Sequence, residues 1–298
     1  MQFHDGEIAM QTRAGVRQQA ARLGVAIHAS IPRERRDFLA AQRFAVVGTV
    51  DARGRVWATV VTGPPGFISV PEETTVRIGA TPAAGDPLME NLAHPAHAAL
   101  IVPDLAQRRR LRLNGRGQIV NGAIEIRTQQ VYGNCARYIQ ARAPIGAREW
   151  PNSDVRPAAR ASRLSDDHRR LIERADTFFI ASDHPQSGAD VSHRGGKPGF
   201  VRVVDERHLA IPDYSGNNMF NTLGNIVANP RVGLLFIDFD GGSTLQLSGD
   251  ARIDWNPARA SAMPGAERLV DFELDEAIDD PRGFALRFEF HEYSHFNP

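Results

Sequence analysis

The chain has 298 residues, enough for one large domain or two of ordinary size. Hydrophobic residues make up 42% and charged residues 23%, the balance of a water-soluble globular protein rather than a disordered one. Its 35 basic and 35 acidic side chains cancel, which argues against a strongly basic nucleic-acid surface, and no apolar run is long enough to span a bilayer.

The opening stretch MQFHDGEIAM has no basic segment followed by an apolar one, so a secretory leader is not expected. The single cysteine, Cys135, excludes an intramolecular disulfide and suits a reducing compartment, so a cytoplasmic location is expected. Arginine replaces lysine almost everywhere, Lys197 being the one lysine, a bias that reflects genome composition rather than mechanism.

From Phe44 short β-rich runs alternate with turn signals, as in TVDARGRVWATVV. DPLMENLAHP places apolar residues at helical spacing and ends before proline. Residues 144–157 hold Pro144, Pro151 and Pro157 and read as a linker. A helix is expected over 158–175, AARASRLSDDHRRLIERA. The same grammar then returns. PGF at 65–67 recurs at 198–200, NLAHPAHAALIV from Asn91 is answered by NIVANPRVGLLFI from Asn225, and LRLNGRGQI from Leu111 by LQLSGDARI from Leu245. The offsets are 133, 134 and 134 residues, and constant spacing in conserved order argues for a duplicated domain. Many short strands with one helix per half point to a mainly β (α+β) protein built of small antiparallel barrels, since a doubly wound sheet needs a helix after nearly every strand. The expected domains are 1–157, with the linker, and 158–298.

In the second half DVSHRGGKPGFVRVV puts Ser192, His193 and Arg194 on a strand or its end. DYSGNNMFN then gathers Tyr214, Ser215, Asn217, Asn218 and Asn221 at the entrance to a helix. Unpaired N–H groups at a helix start, Ser and Asn donors and a nearby arginine compose a phosphate cradle, with Gly216 permitting close backbone approach. The alternative is a helix cap and turn, with asparagines chosen for left-handed backbone geometry.

ADVSHRGGKPGFVRV, PDYSGNNMFNTLGNIVANPRVGLLFIDF and LQLSGDARI resemble the FMN-binding split β-barrel of the pyridoxamine 5′-phosphate oxidase superfamily. FHDGEIAMQTRAGV and VYGNCARYIQ extend the resemblance to a tandem-barrel branch over nearly the whole chain. It implies two tandem split barrels, each with a few short helices, and FMN as cofactor. Arg194 would pair with the flavin phosphate, with Ser215, Asn218 and Asn221 donating hydrogen bonds. Ser192 and His193 would lie along the flavin, Gln246 would face the ring, and Lys197 would add charge or remain a solvated loop lysine. Tyr132, Asn134, Cys135 and Arg137 become contacts to flavin or substrate, although a lone cysteine also serves as a small buried apolar residue. His193 and Cys135 are the candidates for a catalytic role, each by position only.

The sequence departs from the true oxidases, which carry basic residues where this chain reads GNNMFN and others near the C-terminus, where it ends FEFHEYSHFNP. Pyridoxamine phosphate is therefore not the expected substrate. The first half, GATPAAGDPLMENLAHP, lacks the Ser/Asn cluster and carries Asp86, so its barrel is expected not to bind FMN. Single-barrel relatives build each site between subunits. The duplicated chain is expected to form that pair internally, and a homodimer stays open. The implied activity is a flavin-dependent oxidoreductase acting on a small molecule, with NAD(P)H or another electron donor. The alternatives are a non-catalytic flavin-binding or sequestering protein, and a split barrel holding F420 or haem.

HEYSH at 291–295 matches the H-E-x-x-H pattern that holds zinc on a helix. Phe284, Leu286, Phe288 and Phe290 alternate with polar or small residues, which is a strand pattern, so no metal site is expected.

Overall fold

The computed structural model describes residues 3–150 and 157–298. Three helices come first: α1 (Asp5–Arg13), α2 (Arg17–Gly24) and α3 (Arg33–Ala41). The first half then runs β1 (Phe44–Val50), β2 (Val56–Thr62), β3 (Ile68–Glu72), β4 (Thr75–Ile78), α4 (Leu88–Asn91), β5 (Ala96–Asp104), β6 (Arg109–Val120), β7 (Ala123–Gly133) and β8 (Ala141–Ala147). The second half follows with β9 (Ala159–Ala161), α5 (Asp166–Arg174), β10 (Thr177–His184), β11 (Gly188–Gly195), β12 (Arg202–Val203) and β13 (His208–Asp213). It finishes with α6 (Asn221–Ala228), β14 (Arg231–Ile237), β15 (Thr244–Asp254), α7 (Pro257–Ser261), β16 (Arg268–Asp280) and β17 (Leu286–Glu292).

The sheet orders establish the duplication. The first sheet runs β2-β1-β5-β6-β7-β4-β3 and the second β11-β10-β14-β15-β16-β13-β12, the same path strand for strand, with β9 added beside β16. Every pairing is antiparallel, and β6–β7 and β15–β16 carry a register shift at equivalent places, Asn114/Gly115 and Ser248/Gly249. Glycine is required at both. A Cβ on Gly115 or Gly249 would drive into the carbonyl of Arg127 or Glu273 across the ladder.

Each half has its own apolar interior. Val47, Leu100, Leu113 and Ile126 lie in the first, Phe178, Leu234, Leu247 and Phe272 in the second. A third core joins them, because β1, β2 and β5 are apolar on their outer faces too. Val46, Val56, Ala58 and Ile101 meet Phe179, Ala181, Val191 and Leu235 there. At its rim Phe44, Phe239, Phe284 and Phe288 pack edge to face, with ring centroids 5.5–5.7 Å apart in four of the pairs. Strands β8 and β17, each following the last sheet strand of its half, pair with each other and tie the halves together.

Several expectations change. The start of the proline-containing 144–157 segment is strand rather than linker, because β8 finds a partner in β17; residues 151–156 lie outside the described residues. The helix expected over 158–175 is confined to Asp166–Arg174, capped by Ser165, while Ala159–Ala161 pairs with β16 as β9. The helix expected in DPLMENLAHP is a single turn. Strand β17 agrees with the alternation read over 284–290, and it places His291 and Glu292 on a strand end. Among the described residues no cluster of three metal-type side chains occurs and no helix is long and apolar enough to cross a membrane.

Candidate cofactor cleft

A cleft lies between the halves. The first half supplies Arg110 and Arg112 from β6, and Asn134, Cys135 and Tyr138 from the turn after β7. The second supplies Ser192, His193 and Arg194 from β11, the 212–223 segment, and Glu267 and Arg268 at the start of β16. Both walls therefore come from one chain.

The loop into α6 is strained. Asn218 and Phe220 both take left-handed backbone angles, with φ of 60° and 61°, costly for the aromatic residue. Phe220 is also the N-cap and provides no side-chain cap, so the helix start is left open towards the cleft. Gly216 takes no left-handed φ, and a Cβ there would come no nearer to the protein than 3.9 Å, at the Tyr214 carbonyl. The protein's own packing does not demand this glycine, so the space it leaves belongs to the cleft.

The side chains are tightly committed. Arg194 donates to Asp213 at 2.6 Å, and Arg268 donates to the other oxygen of the same carboxylate at 2.8 Å. Arg112 donates to Asp190 at 3.0 Å, where Asn114, Tyr132, Ser192 and Thr222 also donate. Burial opposes ionisation of Asp190, but Arg112 and these hydrogen bonds outweigh it and hold its pKa below the usual carboxylate range. Arg110 differs from its neighbours: among the described residues it has no carboxylate partner, and its Nε is enclosed without an acceptor. Burial, then repulsion from Arg112 and Arg194, lowers its pKa, yet it stays cationic at neutral pH.

Arg110 also settles the state of His193. Its guanidinium lies 3.1 Å from His193 Nδ1 and has only donors, so Nδ1 accepts and the ring proton sits on Nε2. Burial, then Arg110 and Arg112, hold the His193 pKa well below the ordinary value, so the ring is neutral.

Of the residues singled out by sequence, Ser192, His193, Arg194, Tyr214, Asn217, Asn218 and Asn221 line this cleft, as do Asn134 and Cys135. Ser215 sits at the mouth, where Tyr138 donates to its carbonyl at 2.9 Å and Arg137 reaches its hydroxyl at 3.5 Å. Tyr132 is buried beneath the cleft on Asp190. Lys197 is exposed in the turn that its carbonyl closes to Phe200, outside the lining. Gln246 does not face the cleft. It donates to Asp86 in a smaller cavity.

That smaller cavity is the cleft's counterpart in the duplicated fold. Thr244 and Gln246 stand where Arg110 and Arg112 stand, Val60 replaces Ser192, and Ala83 and Ala84 replace Asn217 and Asn218. Asp86 fills it, held by Thr59, Gln246 and the Leu88 N–H, and burial raises its pKa.

Sequence reasoning did not single out Arg110, Arg112 or Arg268. The signal for the first two was the comparison of repeats, since RLRLNG from Arg110 has arginines where TLQLSG from Thr244 has threonine and glutamine. It also missed α1 and α2, which pack on α6 and the loop before it: from α1 Glu7 accepts from Asn221 and Gln11 donates to the Met219 carbonyl, and from α2 Gln19 accepts from Asn218.

A family model described as pyridoxamine 5′-phosphate oxidase matches residues 31–156 and again 164–296. Among solved structures, HupZ of Group A Streptococcus is 14% identical, covering 41% of this chain and 98% of its own, with a TM-score of 0.34. A Clostridium acetobutylicum protein related to general stress protein 26, of the pyridoxinephosphate oxidase family, is 11% identical, covering 42% and 87%, with a TM-score of 0.27. An F420 reductase is 17% identical, covering 40% and 99%, with a TM-score of 0.29. No curated protein matches the chain.

Proposed function

Since the chain belongs to the pyridoxamine 5′-phosphate oxidase family, its model matching both halves, we propose that it binds one FMN in the cleft between them and acts as a flavin-dependent oxidoreductase on a small molecule. The observation that carries this reading is Arg110. A cation without a carboxylate among the described residues, its Nε enclosed beside the cleft, suits a ligand that brings negative charge. The open helix start and the space at Gly216 favour the same chemistry.

Arg110, Arg194 and Arg268 would supply charge to the ligand, with Ser192, Asn217 and Asn218 as hydrogen-bonding partners. Bound FMN supplies the electron transfer that side chains cannot perform. The protein's part is placement and shielding. His193 is neutral and presents no charge to the cleft. Tyr138 and Tyr214, with ring centroids 5.2 Å apart, shield the mouth and join the first half to the loop before α6. Arg112 and Asp190 brace the floor. The smaller cavity, with its arginines replaced and Asp86 in place, suits no anionic ligand, so one flavin per chain is expected. The substrate is not pyridoxamine phosphate in this reading, and the electron donor is a reduced nicotinamide.

The test is an absorption spectrum of the purified protein with mass identification of the released ligand, followed by an assay of NADH and NADPH oxidation. A flavin spectrum, the FMN mass and donor oxidation support the proposal. A flavin spectrum without donor oxidation sinks the nicotinamide step. A colourless protein that takes up no FMN sinks the cofactor assignment.

A further inference from the structure

Asn221 belongs to two places at once. It lines the cleft, and its amide nitrogen donates at 2.6 Å to Glu7 Oε1 on α1, with both residues at least nine-tenths buried. The other Glu7 oxygen accepts the His4 backbone N–H at 2.8 Å. Helix α1 crosses α6 closely, with Gly6 and Gly224 meeting backbone to backbone. A carboxylate in this position only accepts, so it holds the Asn221 N–H groups. A carboxylic acid donates, and its natural acceptor is the Asn221 carbonyl oxygen once the amide turns over. The amide nitrogen then points away from Glu7.

We propose that Glu7 is a positioning residue for the cleft: ionised it holds the Asn221 donor, and protonated it releases that donor to an anionic ligand. This rests on the flavin reading, with the FMN phosphate as the anion. Burial is the main reason the Glu7 pKa rises to about 7, and the nearby Asp190 carboxylate adds to it; the His4 and Asn221 hydrogen bonds oppose it. The other groups around it are His4, 3.6 Å away, Asp5 beside His4, and His184 of β10, its ring tilted against that of His4 with centroids 4.1 Å apart. Burial and His184 lower the His4 pKa to about 4, so His4 carries no charge while Glu7 titrates.

Glu7→Gln mimics the protonated acid, since its amide donates at every pH. The first measurement is the side-chain amide resonance of Asn221 in ligand-free protein across pH. It shifts with a midpoint near 7 in the wild type and not in Glu7→Gln. The second is FMN titration by fluorescence quenching at about pH 6 and pH 8. The ratio of Glu7→Gln to wild-type affinity rises by about tenfold between them, the worth of one hydrogen bond to a charged group. Asn221→Ala removes the difference. An Asn221 amide that does not titrate, or a ratio flat across pH, overturns the proposal. If the wild type takes up no FMN, the flavin reading fails, and the ligand-free titration still decides the Glu7–Asn221 exchange.

Discussion

At the residue scale, the side chains of the cleft divide by whether their charge is already answered. Arg194 and Arg268 share Asp213, and Arg112 is taken by Asp190, whereas Arg110 has no carboxylate among the described residues. Arg110→Met is therefore expected to weaken FMN binding by roughly ten- to a hundredfold, the range of a hydrogen bond to a charged group. Arg194→Ala should cost less, because it also frees Asp213 to pair fully with Arg268. Equal losses in a quenching titration would contradict the ranking. Glu7 carries a stability signature of its own. Its native pKa of about 7 stands above the ordinary carboxyl value of 4.5, so the native state holds more protons between those limits. Stability falls as pH rises through that window, by on the order of 3 kcal/mol, and is flat above it. His4 and His193, whose pKa values burial lowers, tilt stability the other way, so the slope is read as the difference between wild type and Glu7→Gln in urea unfolding at a series of pH values.

At the element scale, what the sequence made legible was whatever repeats or alternates. The 134-residue offset forecast two sheets of identical order, and the alternation before HEYSH forecast β17. The Ser/Asn stretch, read as a phosphate cradle or as a cap and turn, lines the cleft through Asn217, Asn218 and Asn221, and its Asn218 also takes the left-handed turn of the second reading. Unreadable were contacts across more than a hundred residues. The resemblance implied that Gln246 faces the ring, but the duplication gives its strand a cavity of its own, where Gln246 donates to Asp86. Arg110 reaches the second half only because the halves pack face to face. Helix α1 offered little amphipathic pattern, because its contacts with α6 are polar groups and glycines. The closeness of that crossing is testable. A Cβ on Gly224 would lie 2.6 Å from the Glu7 backbone nitrogen, so Gly224→Ala should destabilise the protein by about 1–3 kcal/mol, as overpacking does. Thermal unfolding measures it, and an unchanged midpoint would show that α1 moves freely.

At the scale of the whole molecule, two equivalent positions have diverged into one cationic cleft and one plugged cavity. Flavin titration of the ligand-free protein should saturate at one FMN per chain, and two would show that Asp86 gives way. The interlocking of the halves has another consequence, in time rather than space. Glu7 meets Asn221 across 214 residues, and β8 waits for β17, close to the end of the chain. During synthesis the outward apolar faces of β1, β2 and β5 emerge first and have no cover until the second half follows, roughly ten to thirty seconds later. Folding dominated by such distant pairings is slow. A variant that delays the second half should accumulate as aggregate rather than as a soluble half-folded chain, because the first half by itself presents a sticky face.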